Sequence, residues 1–189
     1  MPEVDQFPIT IAMGSSGTDF GISTAANNTG DFSYIGAPSW STNGANGKVH
    51  IYYSNSNAMA ELTTISGPGG NSGFGACVDT DLSGDILVVS SHSNVYAWPS
   101  RGTMSSIYIY KRTSLDWSSK TSNVIVGSPG GSSIKGFGLS ISIATENPGL
   151  LCVGSPYENK VYVYDIIASP TLLYTDQPGT ETNGNSSVY

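Results

Sequence analysis

Short runs of apolar residues recur along the whole chain, and small polar residues separate one run from the next. In Ile107–Tyr110 and Val161–Tyr164, aliphatic and tyrosine side chains alternate with a period of two. This alternation is typical of a β-strand with one face in a core. No stretch of helical length carries an apolar stripe at the i, i+3, i+4, i+7 spacing. The pattern therefore predicts an all-β protein.

Three segments of the chain repeat the same order of motifs. Each begins with a Phe-Gly pair, at Phe20, Phe74 and Phe137, and these landmarks are 54 and 63 residues apart. Each repeat contains three predicted strands, and a fourth, weaker apolar run closes it. The closing runs are Leu62–Ile65, Asn123–Val126 and Leu172–Thr175. Four short strands joined by tight polar turns within about 55 residues are the unit of a β-propeller blade.

The repeats divide the chain into blades. Residues 1–16 are predicted to form an outer strand and exit loop of a preceding or partner blade. Three complete blades follow at 17–66, 67–127 and 128–176, and residues 177–189 form a polar tail or the start of a next blade. The prediction is a partial β-propeller of three four-stranded antiparallel blades. Because propellers close with about four to eight blades, closure is expected from oligomerisation or from missing blades. The alternatives are a six-bladed ring of two copies, a longer protein, and an open arc on another protein.

The motifs resemble the FG-GAP repeat, in which Phe-Gly precedes Gly-Asp-x-Leu-Val-Val-Gly-Ala-Pro and then Gly-x-Val-Tyr-Val-Tyr. Gly30–Pro38 and Gly47–Tyr53 carry the later motifs of the first repeat, and the resemblance covers residues 17–175. The other repeats have Ser90–His92 and Gly154–Pro156 in place of Gly-Ala-Pro. FG-GAP repeats build the head propeller of integrin α subunits and of many bacterial, algal and viral surface proteins. The resemblance implies a propeller fold, which serves many functions.

Some FG-GAP repeats carry a calcium loop of the Asp-x-Asp-x-Asp-Gly type, and the second repeat comes closest to it. Oxygen ligands at alternate positions suit a hard cation. However, Leu87 stands where the ninth loop position should supply a carboxylate. The alternative, which we favour, is an Asx-type turn that caps a hairpin. The sequence indicates no other cofactor. The candidate metal ligands are Asp79, Asp81, Ser83 and Asp85.

Charge and apolar content bound the partners and the location. A net charge of −7 with seven Lys and Arg disfavours binding to nucleic acid or to an anionic membrane. No apolar run approaches the length of a membrane span, and no signal peptide is visible. From the resemblance, we expect a virion or cell-surface location without membrane insertion. Cys77 and Cys152 fall on different strands of different blades, so we expect two small core residues rather than a disulfide.

Binding is favoured over catalysis. A Ser-His-Asp group could be assembled from Ser90, His92 and Asp85, but serine is frequent in this chain and nothing places a nucleophile on an elbow, so no enzyme is expected. His50 replaces a strand tyrosine of the other repeats, and Trp117 is expected to be structural. The loops between second and third strands hold aromatic residues among Ser, Asn and Gly, which is typical of adaptable binding loops. The alternative is that each tryptophan folds back over its blade edge. The candidate ligand-binding residues are Trp40, Tyr96, Trp98 and Arg101.

Three functions follow from these patterns. The first, which we favour, is a non-catalytic propeller interaction or assembly module, a structural or attachment component of a virion or cell surface. Its partners would be further copies of itself or other protein subunits. The second is a glycan-binding adhesin that uses the aromatic loop residues. The third is a calcium-dependent, integrin-like ligand-binding head.

Overall fold

Twelve β-strands make up most of the described chain. The computed structural model describes residues 19–39, 46–55, 58–68, 73–91, 106–126, 136–144 and 149–176. No helix in these ranges has the length and apolar character that crossing a membrane requires. A short 3-10 helix, Pro156–Glu158, lies between the tenth and eleventh strands. The strands are β1 (Ser23–Ala26), β2 (Phe32–Ala37), β3 (Lys48–Asn55), β4 (Ala58–Ser66), β5 (Phe74–Thr80), β6 (Ile86–Ser91), β7 (Ser106–Arg112), β8 (Lys120–Val126), β9 (Ser140–Ile143), β10 (Leu150–Ser155), β11 (Lys160–Asp165) and β12 (Thr171–Asp176).

The strands pair in chain order into three separate sheets. β1–β4 form blade 1, β5–β8 form blade 2 and β9–β12 form blade 3. Every pairing is antiparallel. The closing strand of each repeat takes the outer position, at β4, β8 and β12. The predictions of an all-β chain and of three four-stranded antiparallel sheets are therefore confirmed.

The turn between the first and second strands has the same construction in blades 1 and 2. Asn27 Oδ1 accepts a hydrogen bond from the Phe32 N–H at 3.0 Å, and Asp81 Oδ1 accepts one from the Ile86 N–H at 2.8 Å. In both turns an Asn or Asp side chain caps the hairpin, as predicted for the second repeat, but its bond reaches the backbone five residues on rather than the two of an Asx turn. The matching turn of blade 3 includes residues 145–148, which lie outside the described ranges.

The blades stack face to face with their first strands adjacent. β5 lies against β1 and β2 on one side and against β9 on the other. Two apolar clusters fill the spaces, one between blades 1 and 2 and one between blades 2 and 3. We call these two packed interfaces the first joint and the second joint. Separate sheets that fan out from adjacent first strands are arranged like propeller blades.

The phenylalanine of the Phe-Gly motif packs on the third strand of its own blade. Phe74 contacts Tyr108 and Tyr110 edge to face, with ring centroids 5.3 and 6.2 Å apart. Phe137 makes the same contacts with both tyrosines of β11. In blade 1 His50 takes the place of one tyrosine, with its ring 5.2 Å from that of Phe20. The motifs that define the repeat in sequence thus form one aromatic cluster in each blade.

Three single-residue predictions have different outcomes. Trp117 is structural as predicted, since it is buried and lies edge to face on Tyr34 at 5.8 Å. Both cysteines are free thiols, and Cys77 is half-buried. The prediction that Cys152 is a core residue is wrong, because its side chain is exposed. Its neighbours Leu151 and Val153 face blade 2, so alternation turns Cys152 to the other face of the sheet, where no described blade packs.

Candidate interaction face of blade 3

The first joint shows how the apolar face of one blade is buried by the next blade. Tyr34, Val49 and Ile51 of blade 1 form one apolar cluster with Phe74 and Leu87 of blade 2. All five side chains are fully buried. Burying a large apolar side chain stabilises the fold by about 1.5–3 kcal/mol relative to leaving it in water. An apolar blade face is therefore strongly stabilised by a neighbouring blade.

The second joint repeats this chemistry at the same register positions. Val88, Ile107 and Ile109 of blade 2 occupy the places of the three blade 1 residues, and they too are fully buried. They form a cluster with Phe137 and Leu151 of blade 3. Each joint thus combines an aliphatic or aromatic face with the Phe-Gly motif of the following blade.

Two of the same positions on blade 3 are exposed, and the third, Val163, is half-buried. Cys152, Val161 and Val163 stand where blade 2 has its three buried aliphatic residues, and Tyr174 is directly opposite Val163 on β12. Val161 is 44% exposed and Tyr174 is 58% exposed. We call Cys152, Val161, Val163 and Tyr174 the open face. It lacks the cover that the equivalent faces of blades 1 and 2 have in this structure.

Ser23 of β1 and Cys77 of β5 stand at equivalent register positions, and the side chain of each bonds across a joint. Ser23 Oγ donates to the Gly75 carbonyl at 2.9 Å across the first joint. Cys77 Sγ donates to the Leu139 carbonyl at 3.2 Å across the second. The register of the sheets places Ser140 at the equivalent position of blade 3. Its side chain is exposed beside the open face, and no hydrogen bond joins it to the described residues.

Charged side chains of blade 2 strengthen the second joint. Asp79 Oδ2 accepts a hydrogen bond from the Ile143 N–H at 2.7 Å, and Lys111 Nζ donates to the Ile166 carbonyl at 2.6 Å. Hydrogen bonds with one charged partner each stabilise a fold by about 1.5–3 kcal/mol. Asp79, a candidate metal ligand, thus joins two blades through the backbone of β9.

The other candidate metal ligands also accept hydrogen bonds from protein donors. Asp81 Oδ2 accepts from the Ser83 hydroxyl at 2.5 Å, and Asp85 Oδ1 lies 2.6 Å from Arg112 Nε. Within the described ranges, no group of three or more His, Cys, Asp or Glu is arranged to hold a metal ion. The structure thus gives each carboxylate of this loop a protein donor, and calcium binding here stays a prediction.

The blade 1 turn is tied to the blade 2 turn. Asn27 Nδ2 donates to Asp31 Oδ1 at 2.6 Å and lies 3.3 Å from the Ser83 carbonyl of the next blade. The Thr29 hydroxyl also donates to Asp31. These hydrogen bonds, that of Thr29 above all, lower the pKa of Asp31 below its ordinary value. The two hairpin turns therefore form a polar edge across the first joint.

The outer face of blade 1 is more polar than the open face. Thr24, Ser33 and His50 stand where blades 2 and 3 carry Val, Ile, Leu or Tyr. His50 is 4% exposed, and its Nδ1 lies 3.3 Å from Glu61 Oε1. Repeat proteins commonly place polar residues on the outer face of a terminal repeat. The two ends of the stack thus differ in chemistry.

The predicted aromatic binding loops cannot be compared with this face. Trp40, Tyr96, Trp98 and Arg101 all lie outside the described residues, so their binding role stays a prediction. The open face was missed at the level of sequence. The period-two alternation of β11 gave the residues that share a face, but it carried no sign that this face would be uncovered.

Comparison with known proteins supports the fold type. No family model matches the sequence, and no curated protein matches it. The chain is similar to the crystal structure of a candidate 6-phosphogluconolactonase from Bacteroides fragilis, with a TM-score of 0.53 and 15% identity, over 79% of this chain and 36% of that one. It is also similar to Sqt1 from Saccharomyces cerevisiae, with a TM-score of 0.41 and 13% identity, over 86% of this chain and 49% of Sqt1. The chain thus spans about a third of the length of the first protein, and that likeness shows a propeller-type fold alone.

Proposed function

Taking the propeller-type fold as the premise, we propose that this chain is a non-catalytic module that binds a protein partner through the open face of blade 3. One observation carries the proposal. Of the three positions that are fully buried in both joints, Cys152 and Val161 are exposed on blade 3 and Val163 is half-buried, and Tyr174 beside them is 58% exposed. Contiguous exposed apolar side chains on a soluble protein mark an interaction surface.

The polar groups around the joints support a structural role for this part of the chain. Asp79 and Lys111 bond across the second joint, and Asp85 pairs with Arg112. The first two bonds join blades 2 and 3, whereas the Asp85–Arg112 pair lies within blade 2 and ties its first turn to β7. The neighbouring 6-phosphogluconolactonase is 15% identical over 79% of this chain, and this likeness by itself gives no site for such chemistry here.

The proposal also includes the family of this module and the place where it acts. FG-GAP membership, and with it a structural or attachment role on a virion or cell surface, is supported by the three repeats of the sequence motif. Each of the two alternative functions has a separate test. Loss of glycan-array binding on Trp98→Ala would favour an adhesin, and a calcium-dependent unfolding midpoint would favour an integrin-like head.

The interaction surface is tested with an apolar dye and a matched pair of variants. Val161 on the open face and Val124 on β8 are the same residue type, 44% and 46% exposed. The dye anilinonaphthalene sulfonate binds exposed apolar surface. We expect Val161→Asp to reduce dye fluorescence several-fold and Val124→Asp to change it little, with circular dichroism confirming that both variants are folded. Equal fluorescence in all three proteins would remove the support for this surface.

The non-catalytic part of the proposal is tested separately. The full chain is incubated with 6-phosphogluconolactone, and hydrolysis is followed against the spontaneous rate. We expect no acceleration. Turnover that depends on the protein concentration would overturn the proposal, whatever the dye experiment gives.

A further inference from the structure

We propose that the partner of the open face is a further blade of this same repeat type, a four-stranded sheet that presents a Phe-Gly loop and a Tyr-x-Tyr third strand. This inference rests on the proposed function and names the partner of that surface. The two joints inside the molecule supply the argument, because both use this chemistry on one side and an open-face equivalent on the other.

The first observation is an unused hydrogen-bond donor. Ser23 and Cys77 each donate to a backbone carbonyl of the following blade's Phe-Gly loop, at Gly75 and Leu139. Ser140 has the same place in blade 3, and no described residue accepts from its hydroxyl. A carbonyl in the corresponding loop of a fourth blade would accept this hydrogen bond.

The second observation is the space beside Gly154. A β-carbon built at Gly36 would clash with Ser23 Oγ of its own blade and with the Gly75 carbonyl of the next. At Gly154 the three nearest atoms of the described residues all belong to Ser140 of its own blade. The two glycines therefore resemble each other in their own blades, but the Phe-Gly loop of a following blade lies against Gly36, and no such loop among the described residues lies against Gly154. The space beside Gly154 therefore fits a loop whose backbone lies as close to Gly154 as the Gly75 backbone lies to Gly36.

The third observation is that the open face keeps its apolar character. Val161 and Val163 occupy the positions of two fully buried isoleucines of blade 2, and Cys152 that of a fully buried valine. Leu150, at the edge of the same face, occupies the position of Ile86. The face is thus built of the side chains that the second joint buries against Phe-Gly and Tyr-x-Tyr.

A second copy of this chain is a poorer partner. The face that it would present is the outer face of blade 1, where Thr24, Ser33 and His50 replace the aliphatic and tyrosine residues found in both joints. Ile35, His50 and Tyr52 on that face are already buried, at 9%, 4% and 6% exposure. The exposed apolar residues of blade 3 therefore lack a matching apolar face on a second copy.

The test measures whether a docked blade protects the Cys152 thiol on the open face from reaction. In a Cys77→Ser background, Cys152 is the one remaining thiol of the chain, and serine already stands at the equivalent positions of blades 1 and 3. A second copy of residues 67–127, also carrying Cys77→Ser, is appended after Tyr189 of the full chain. We expect the rate at which a thiol reagent modifies Cys152 to fall at least about tenfold relative to the unextended chain, which corresponds to about 1.4 kcal/mol of docking.

Matched variants show whether protection comes from the proposed contact. Val161→Asp in the extended chain should restore the rate of the unextended chain, and Val124→Asp in blade 2 should not. A second extension with residues 128–176, its own cysteine replaced by serine, guards against failure of the first appended blade to fold. The proposal is overturned if Cys152 reacts at the parent rate in both extended chains.

Two other outcomes separate this inference from the proposed function. Protection of Cys152 in the unextended chain that grows with concentration, together with a dimeric mass in light scattering, would make a second copy the partner and overturn the inference alone. A thiol that is unreactive in the dilute unextended chain would show that the face is closed, and would overturn the proposed function as well.

Discussion

Replacing the glycine of a Phe-Gly motif should destabilise the protein by an amount that depends on whether a neighbouring blade packs against it. Gly75 and Gly21 both have positive φ, at +93° and +88°, a region that disfavours side chains. A β-carbon at Gly75 would lie 2.6 Å from the Lys48 carbonyl oxygen and 3.1 Å from the Ala37 nitrogen. No described atom lies within 4 Å of a β-carbon built at Gly21. The two positions therefore share the backbone cost and differ in the contact with the preceding blade.

The magnitudes follow from these two terms. The left-handed conformation costs an alanine about 1–2 kcal/mol at either position. At Gly75 the neighbouring atoms belong to the backbone, which cannot rotate away, and such overpacking costs a further 1–3 kcal/mol or so. We therefore expect Gly75→Ala to lower the free energy of unfolding by about 2–5 kcal/mol and Gly21→Ala by about 1–2 kcal/mol.

Urea unfolding of the wild-type chain and of the two variants, followed by circular dichroism, measures this difference. For a chain of this size, each kcal/mol shifts the thermal midpoint by about 2–4 °C, so thermal scans should separate the variants by about 6 °C. Equal losses at the two glycines would refute the reasoning, because they would show that the preceding blade does not restrict the Phe-Gly loop. A larger loss at Gly21 would contradict the stacking order itself.

Three further predictions concern single side chains. Burial raises the pKa of Tyr110 and of Tyr164 from 10.0 to about 12. The free energy of unfolding should therefore be constant below pH 10 and decrease as the pH rises through about 12. In denaturation curves measured at stepwise pH, tyrosine-to-phenylalanine variants should lose less stability over this range. Asp79→Ala should lower the free energy of unfolding in urea by about 2 kcal/mol, because a charged acceptor across the second joint is lost. Ser142→Ala, at the equivalent exposed position of blade 3, should change it very little. Similar losses in the two variants would argue against the bond across the joint. Adding a chelator should leave the thermal midpoint unchanged, because Asp85 and its neighbours already accept hydrogen bonds from protein donors; a lower midpoint with chelator would instead indicate bound calcium.

The sequence predicted the fold through features that act locally. Period-two alternation in β7 and β11 decides which side chains enter a core. The strands, and the outer strands that pair with them, could therefore be predicted from this pattern. The Phe-Gly and Tyr-x-Tyr motifs recur together, and the structure explains this recurrence by the contacts of Phe74 with Tyr108 and Tyr110. That Asp81 caps its hairpin was likewise predictable, because its hydrogen bond to Ile86 spans only five residues.

The candidate site could not be predicted because it depends on contacts between blades. The bond from Ile143 to Asp79 joins residues 64 apart, so an aspartate that suggested a metal ligand turned out to hold a joint. Cys152 was expected in a core because its strand is apolar, and its exposure follows from the lack of a described blade on that side. Sequence alternation assigns residues to the two faces of a sheet, but packing between sheets decides which face stays in water.

The paired residues at the joints also bear on how such a molecule can evolve. The position that contacts the next Phe-Gly loop is Gly36 in blade 1 and Ser90 in blade 2, and the Ser90 β-carbon would lie 3.3 Å from one built at Gly138. After a gene duplication, a copy of blade 2 inserted ahead of Gly75 would bring a hydroxymethyl group to a place with no room for it. Reshuffling of the blades would thus require coordinated changes on two sheets, so their order along the gene is constrained by fit at each boundary.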